Sequence, residues 1–396
     1  MGGTSAREMI APTSPSELCE ALKTSADRNA VMETGGAFSK PTMGGPLPLE
    51  AVRVTTSAMT RLLAYEPADL TISVEAGMPW RQLNRILDEN NQFVPVDPAY
   101  SQTATVGGVV ASDSSGPRRR RYGSARDVTI GMTFATVEGK LIQSGGMVVK
   151  NVTGLDMAKL MIGSFGTLAA IATVNFKVLP KPVAVRTFVF SAESLESIIQ
   201  LRKRIVASQL QPVALDLASG SGVTDMAGAK RYRLLAEAHG NPSMVSRYKK
   251  EYAEFAHADG VDFTELDGPA ADALWKDVRE FSSRWTTAHP EGGVLRVSTA
   301  PAALANAIQL CDGSSISRAA LGVTYVGCSN GEELRQQLDR LRSHGIRTLV
   351  EHASAAAKQE LEQWTAPDSS LAVMQRIKDE LDPQGLLNPG RLFGKI

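Results

Sequence analysis

Cysteine is scarce in this sequence: Cys19, Cys311 and Cys328 stand far apart and form no C-x-x-C pair. That spacing encodes neither a disulfide framework nor an iron–sulfur ligand set, and it fits a reducing compartment. Neither sign of charge is in excess, with 42 Lys and Arg against 42 Asp and Glu. The balance argues against a general binder of nucleic acid or membrane surfaces. No apolar run approaches the length of a bilayer span, and the segment MGGTSAREMIAPTSP has neither the charged nor the apolar region of a signal peptide. A soluble, cytoplasmic protein is the expectation. No G-x-G-x-x-G joins a strand to a helix, which leaves a nicotinamide-binding Rossmann unit weakly supported. The five histidines have no partner at metal-ligand spacing, so no metal site is expected.

What is present in force is a run of small residues. Thr103, Ala104, Thr105, Gly107, Gly108, Ala111, Ser112, Ser114, Ser115 and Gly116 crowd into one stretch, where the backbone itself must approach something closely. Exposed peptide N–H groups in a glycine-rich turn form a concave donor site for phosphate, and Thr and Ser hydroxyls add donors without bulk. An anionic cofactor is the expected occupant. Val106, Val109 and Val110 tie the turn to a buried element. Two further glycine turns flank it, Thr34-Gly35-Gly36-Ala37-Phe38-Ser39 before and Gly163-Ser164-Phe165-Gly166-Thr167-Leu168 after. Taken singly, such a pair of glycines is only a turn.

At 396 residues the chain exceeds what one core usually holds, roughly 250 to 300 residues, and two domains are expected. Ser14 and Pro15 predict a helix start, and residues 29–33, 52–55 and 70–75 read as strands. A helix over 79–90 and an apolar hairpin over 128–143 follow, then a short helix over 157–162 and a strand over 171–179. Beyond Lys181-Pro182 the pattern becomes strand–helix–strand without glycine-rich turns, which predicts an antiparallel sheet with helices on one face. The stretch 219–228 reads as a mobile loop. His239 precedes a helix begun by Asn241-Pro242 and reads as a turn residue. The final helix, 370–381, carries Leu371, Met374, Ile377 and Leu381 on one face and stops at a Pro- and Gly-rich tail. Four consecutive arginines, Arg118 to Arg121, have two readings. They form a solvated basic turn, or one or two of them reach an anion such as a flavin, a carboxylate or acidic residues on a partner.

Three separated segments carry a resemblance: TATVGGVVASDSSGPRRRRYGSARD at 103–127, VVKNVTGLDMAKLMIGSFGTLAAIATVNFKVLPKP at 148–182, and LDPQGLLNPGRLF at 381–393. Together they resemble the vanillyl-alcohol-oxidase-type (PCMH-type) FAD-binding flavoproteins, and within them the FAD-binding E subunits of bacterial glycolate oxidase (glycolate dehydrogenase). The resemblance implies an α+β fold, with a two-subdomain FAD-binding domain over 1–182 and an antiparallel-sheet cap domain over 183–365. A C-terminal helix and tail over 366–396 would return to the FAD domain. It implies cofactor contacts from Thr34, Gly35, Gly36, Ala37, Phe38 and Ser39, and from Pro98, Thr103, Thr105, Val106, Gly107, Gly108, Ser112 and Ser115. Arg118, Tyr122 and Gly123 would add to these, as would Gly163, Gly166, Thr167, Ile171 and, in the tail, Asn388. Phe165 stands where relatives often carry glutamate, which leaves the backbone contacts and removes an acidic one.

A flavin supplies redox chemistry that side chains lack. Members of the family that attach flavin covalently use His or Cys, and neither occurs at 35–39 or in the small-residue stretch, so FAD is expected to bind non-covalently. Catalytic relatives carry an H-x-G-D-G-N-x-H metal motif that this chain lacks. The resemblance therefore implies an FAD subunit of a glycolate-type dehydrogenase, acting on glycolate or a similar 2-hydroxy acid beside a catalytic flavoprotein and an iron–sulfur subunit. Such a protein is cytoplasmic or held peripherally at the inner membrane through its complex. The alternative is a self-sufficient flavin oxidoreductase of 2-hydroxy acids or alcohols. A third reading is a binding module that has lost its flavin. Arg296, on a predicted cap strand, is the candidate for a substrate carboxylate; it reads equally as an exposed strand residue.

Overall fold

The computed structural model describes residues 7–147, 155–220, 230–365, 369–394 and 396. The Val148–Gly154 part of the second motif and most of the expected 219–228 loop lie outside the described residues. By contacts the chain divides into two compact units, one of Met1–Ser115, Gly123–Lys181 and Ala366–Ile396, the other of Gly116–Tyr122 and Pro182–Thr365.

In the first unit Ser14 caps the helix Pro15–Asp27, its side chain accepting from the Glu17 N–H. The helix buries Leu18 and Leu22 against a small parallel sheet ordered Met9–Ile10, Val52–Thr55, Met32–Gly35. The sequence reading places the last of these at 29–33; Asn29 instead takes a left-handed φ of 52° in the turn before it. A five-stranded antiparallel sheet follows, in the order Leu62–Glu66, Thr71–Glu75, Ala170–Lys177, Thr129–Ala135, Leu141–Gly145. The helix Trp80–Asp88 and the short helix Val106–Ala111 pack on it through Trp80, Leu83, Leu87, Val106, Val109 and Val110.

The second unit is an eight-stranded antiparallel sheet in the order Asp262–Leu266, Ala184–Ala192, Tyr232–Gly240, Ala214–Ser219, Ser315–Arg318, Val323–Cys328, Gly293–Ser298, Arg347–Ala353. Helices Leu195–Ala207, Pro242–Ala258, Leu304–Leu310 and Gly331–Ser343 bury one face of it. Contrary to the one-face expectation, Gly268–Arg279 and Phe281–Ala288 cover part of the other face, where Leu274, Trp275, Val278 and Phe281 meet Val189, Leu235 and Val294. The Trp275 indole N–H also donates to the buried Thr187 hydroxyl at 2.8 Å.

Candidate functional site

A groove in the first unit gathers residues from four distant parts of the chain. Its walls are the turn 34–40, the helix Val106–Ala111 with its cap Thr105, the turn and strand start 165–171, and Asn388 with Arg391 from the tail. Among the described residues, the peptide N–H groups of Gly36, Ala37, Phe38 and Ser39 have no hydrogen-bond acceptor. Unpaired donors of this kind persist where a ligand or water completes them. The charged side chains on the wall are both cationic, Lys40 and Arg391. Burial pushes the Arg391 guanidinium down, opposed by the charge of Glu33. Arg391 donates to the Met43 carbonyl at 2.5 Å and lies 3.6 Å from Glu33, which also pairs with Arg7 at 2.6 Å and Arg53 at 2.8 Å. Three guanidiniums about one carboxylate leave this side of the groove positive, and an anion is favoured there.

Glycine is required where the walls nearly touch. A Cβ on Gly36 would lie 2.0 Å from Thr105 Oγ1, and one on Gly166, at φ +69°, would lie 2.6 Å from Asn388 Nδ2. The groove also concentrates backbone strain, since Phe38, Phe165 and Asn388 adopt left-handed φ values of 48°, 55° and 42°. Asn388 explains how they are held. Its Oδ1 accepts from the Thr34 N–H at 2.8 Å, and its Nδ2 reaches Thr34 O and Oγ1 at 3.1 Å and Phe165 O at 2.6 Å.

Of the residues expected at a cofactor, the groove brings together Thr34, Gly35, Gly36, Ala37, Phe38, Ser39, Thr105, Gly107, Gly108, Ser112, Gly166, Ile171 and Asn388. It does not include Pro98, Thr103, Val106, Ser115, Gly123, Gly163 or Thr167. Val106 and Thr167 are fully buried, the latter donating to Ser164 O at 2.8 Å. The chemistry of the 103–116 stretch differs from the expected donor turn. It folds into a short helix whose first N–H groups point into the protein: Val106 to Met78 O at 2.9 Å, Gly107 to Ala76 O at 2.7 Å, Gly108 to Thr105 Oγ1 at 3.3 Å. Here the glycines admit a close neighbour, and the free donors belong to the 36–39 turn. Sequence reasoning missed Lys40, Met43 and Arg391; the last lies inside the quoted tail motif and was legible as a cation there.

Arg118 and Tyr122 lie in the second unit, on the polar part of its sheet. Both Arg118 Nε and Nη2 donate to Glu237, each at 2.8 Å, in a fork that only a planar guanidinium makes. Burial alone would raise the Glu237 carboxyl, but the Arg118 and His239 hydrogen bonds and charges bring it down to about 2. His239 Nε2 sits 3.4 Å from the same carboxylate, and its Nδ1 lies 2.9 Å from the Tyr122 hydroxyl. The ring thus lies between the Glu237 carboxylate and the Tyr122 phenol. The side chain of His239 is only 6% exposed and belongs to the strand Tyr232–Gly240, so the turn reading is corrected: strand pairing continues through Gly240, opposite Ala184. Strand register places Glu237, Asp216, Arg318, Tyr325 and Arg296 on one face. Asp216 and Arg318 form a buried ion pair, and Arg296 lies cross-strand from Tyr325, whose phenol burial pushes up.

Residues 6–145 match the family model of the FAD binding domain, and residues 338–392 that of the C-terminal domain of FAD linked oxidases. The chain is 28% identical over 373 residues to the glycolate oxidase subunit GlcE of Escherichia coli, across 91% of this chain and 92% of that one. It is 26% identical over 424 residues to a mitochondrial D-lactate dehydrogenase (cytochrome) of Arabidopsis thaliana, across 97% and 73%. Among solved structures, p-cresol methylhydroxylase with substrate bound superposes with a TM-score of 0.75 at 16% identity, across 98% of this chain and 88% of that one. The 4-ethylphenol oxidase from Gulosibacter chungangensis does so at 0.74 and 14%, across 99% and 91%. These two show a shared fold. The cofactor indicated by the matched domains is FAD, and the glycine-walled, cation-lined groove with open N–H donors fits its pyrophosphate.

Proposed function

We propose that this chain, which matches the FAD binding domain and the C-terminal domain of FAD linked oxidases, is the FAD-binding subunit of a glycolate oxidase-type complex. Its substrate would be glycolate or a similar 2-hydroxy acid, and electrons would leave through FAD to an iron–sulfur subunit or another acceptor. When bound, FAD accepts the electrons of the C–H bond being oxidised. The chain's residues bind and orient it. The 36–39 N–H groups, with Lys40 and Arg391, would hold the pyrophosphate, and Gly36 and Gly166 let the backbone approach. Attachment is non-covalent, a reading supported by the groove wall, where none of the described residues is His or Cys. The observation that carries the proposal is the positive, glycine-walled groove. The relatives' names support the substrate class, since one is a subunit of a glycolate oxidase and another a D-lactate dehydrogenase. The lack of an H-x-G-D-G-N-x-H motif supports dependence on a catalytic partner. Among the described residues no helix is long and apolar enough to cross a membrane; a cytoplasmic complex, or one held peripherally at the inner membrane, suits the reading.

A second reading, oxidation by this chain alone, is favoured by one observation. The Tyr122–His239–Glu237 chain brings a phenol and an imidazole beside a buried carboxylate, groups able to take up a hydroxyl proton. Arg296 would then meet the substrate carboxylate, and Arg296→Ala should raise the apparent KM about 10-fold or more, as loss of a charge-assisted contact does. Anaerobic addition of glycolate to the FAD-loaded chain separates the two readings. A flavin spectrum that bleaches without partners supports the second. One that bleaches only when the other subunits are present supports the first, and a spectrum unchanged with all subunits present contradicts both.

A further inference from the structure

A buried ion pair of the first unit, Lys378 with Asp382, lies outside the groove yet governs the segment that closes it. Lys378, on the helix Ser370–Leu381, is buried, and its Nζ donates to Asp382 Oδ2 at 2.5 Å, Leu387 O at 2.9 Å and Thr167 O at 2.7 Å. Asp382 in turn accepts from the Leu386 N–H at 3.0 Å and the Leu387 N–H at 2.7 Å. The pair thus fixes both the tail just before Asn388 and the residue just after Gly166. The tail is then stitched to the small parallel sheet, with Met32 N donating to Leu386 O at 2.8 Å and Asn388 N to Met32 O at 2.9 Å. From there the Asn388 side chain ties Thr34 to Phe165, the two turns that face each other across the groove. Three left-handed residues, Phe38, Phe165 and Asn388, need such a network to hold their backbone.

We propose that Lys378 and Asp382 are positioning residues for FAD: acting through Asn388, they set the spacing of the 34–39 and 163–167 turns, so that docking of the C-terminal tail and binding of FAD are coupled. The inference rests on the groove being the FAD site. Coupling of this kind is reciprocal, so the tail strengthens FAD binding and FAD holds the tail. The pair's contribution is geometric and passes through Asn388; Lys378→Met, which keeps the length of the side chain and removes its donors, should weaken FAD binding about 10-fold, the ratio equivalent to one lost buried hydrogen bond.

The test measures FAD affinity of the apoprotein by flavin fluorescence, at a temperature where circular dichroism shows each variant folded. Lys378→Met and Asn388→Ala should each weaken binding, and the double variant should bind no worse than Asn388→Ala alone, because the lysine acts through the asparagine. Asp216→Asn, at a buried pair of the second unit, should lower the melting temperature and leave FAD affinity unchanged. Wild-type affinity in folded Lys378→Met, or losses that simply add in the double variant, would overturn the proposal. Should either tail variant not fold, trypsin cleavage of the wild type at Arg376, exposed and outside the groove, gives the answer: saturating FAD should slow it, and an unchanged rate overturns the coupling. A wild-type chain that binds no FAD overturns this inference and the flavin site together, and is seen before any variant is made.

Discussion

Replacing Gly36 with alanine would set a Cβ 2.0 Å from Thr105 Oγ1, closer than van der Waals contact permits. The 36–39 turn must then move and its N–H groups lose their common aim; FAD affinity should fall at least about 10-fold, with little change in secondary structure by circular dichroism. At Glu237 the signature is a pH dependence. Its folded pKa of about 2 lies below the ordinary 4.5, so its stabilisation is complete above about pH 4.5 and disappears as the pH falls through about 2. The depression corresponds to about 3 kcal/mol, the order expected for a buried carboxylate in a guanidinium fork. Thermal melts from pH 6 to pH 2 should show this loss in the wild type and a much flatter profile in Glu237→Gln. At this scale the sequence was legible where glycine has a steric reason, as at Gly36 and Gly166. It was silent at His239, because the carboxylate beside the ring is two residues away on the same strand face and the phenol the ring meets is 117 residues distant.

Elements were legible where a cap or a turn announces them. Ser14 and Asn241 each precede a helix and each accepts from a first-turn N–H, Asn241 from Met244 at 2.8 Å. Asn241→Ala should therefore cost about 1 kcal/mol, measured as a lower urea midpoint with an unchanged slope. The short helix Val106–Ala111 was hidden by its own composition, since glycine and β-branched valine have poor helix propensity. Burial of Val106, Val109 and Val110, together with the Thr105 cap, overrides that preference. The strand Asp262–Leu266 and the helices Gly268–Arg279 and Phe281–Ala288 were missed because their polar residues interrupt the apolar spacing. What stabilises them is a partner face, built from Val189, Leu235 and Val294, that no local window contains.

On the scale of the whole chain, the α+β architecture and FAD were both implied by the resemblance carried at 103–127, 148–182 and 381–393. The groove was legible only in part, because closing it needs residues more than 350 positions apart: Asn388 and Thr34 are neighbours through a network that sequence order conceals. Since FAD binds the folded state, a free concentration one hundred times its dissociation constant should stabilise the protein by about 2.7 kcal/mol, visible as a higher urea midpoint. The most direct measurement is titration of the purified apoprotein with FAD, followed by acid precipitation. The account predicts saturation at one FAD per chain, a bound flavin spectrum, much weaker binding by Gly36→Ala, and release of all the flavin into the supernatant. A chain that does not bind FAD, or that keeps it on the denatured pellet, would contradict the non-covalent FAD site on which the whole reading stands.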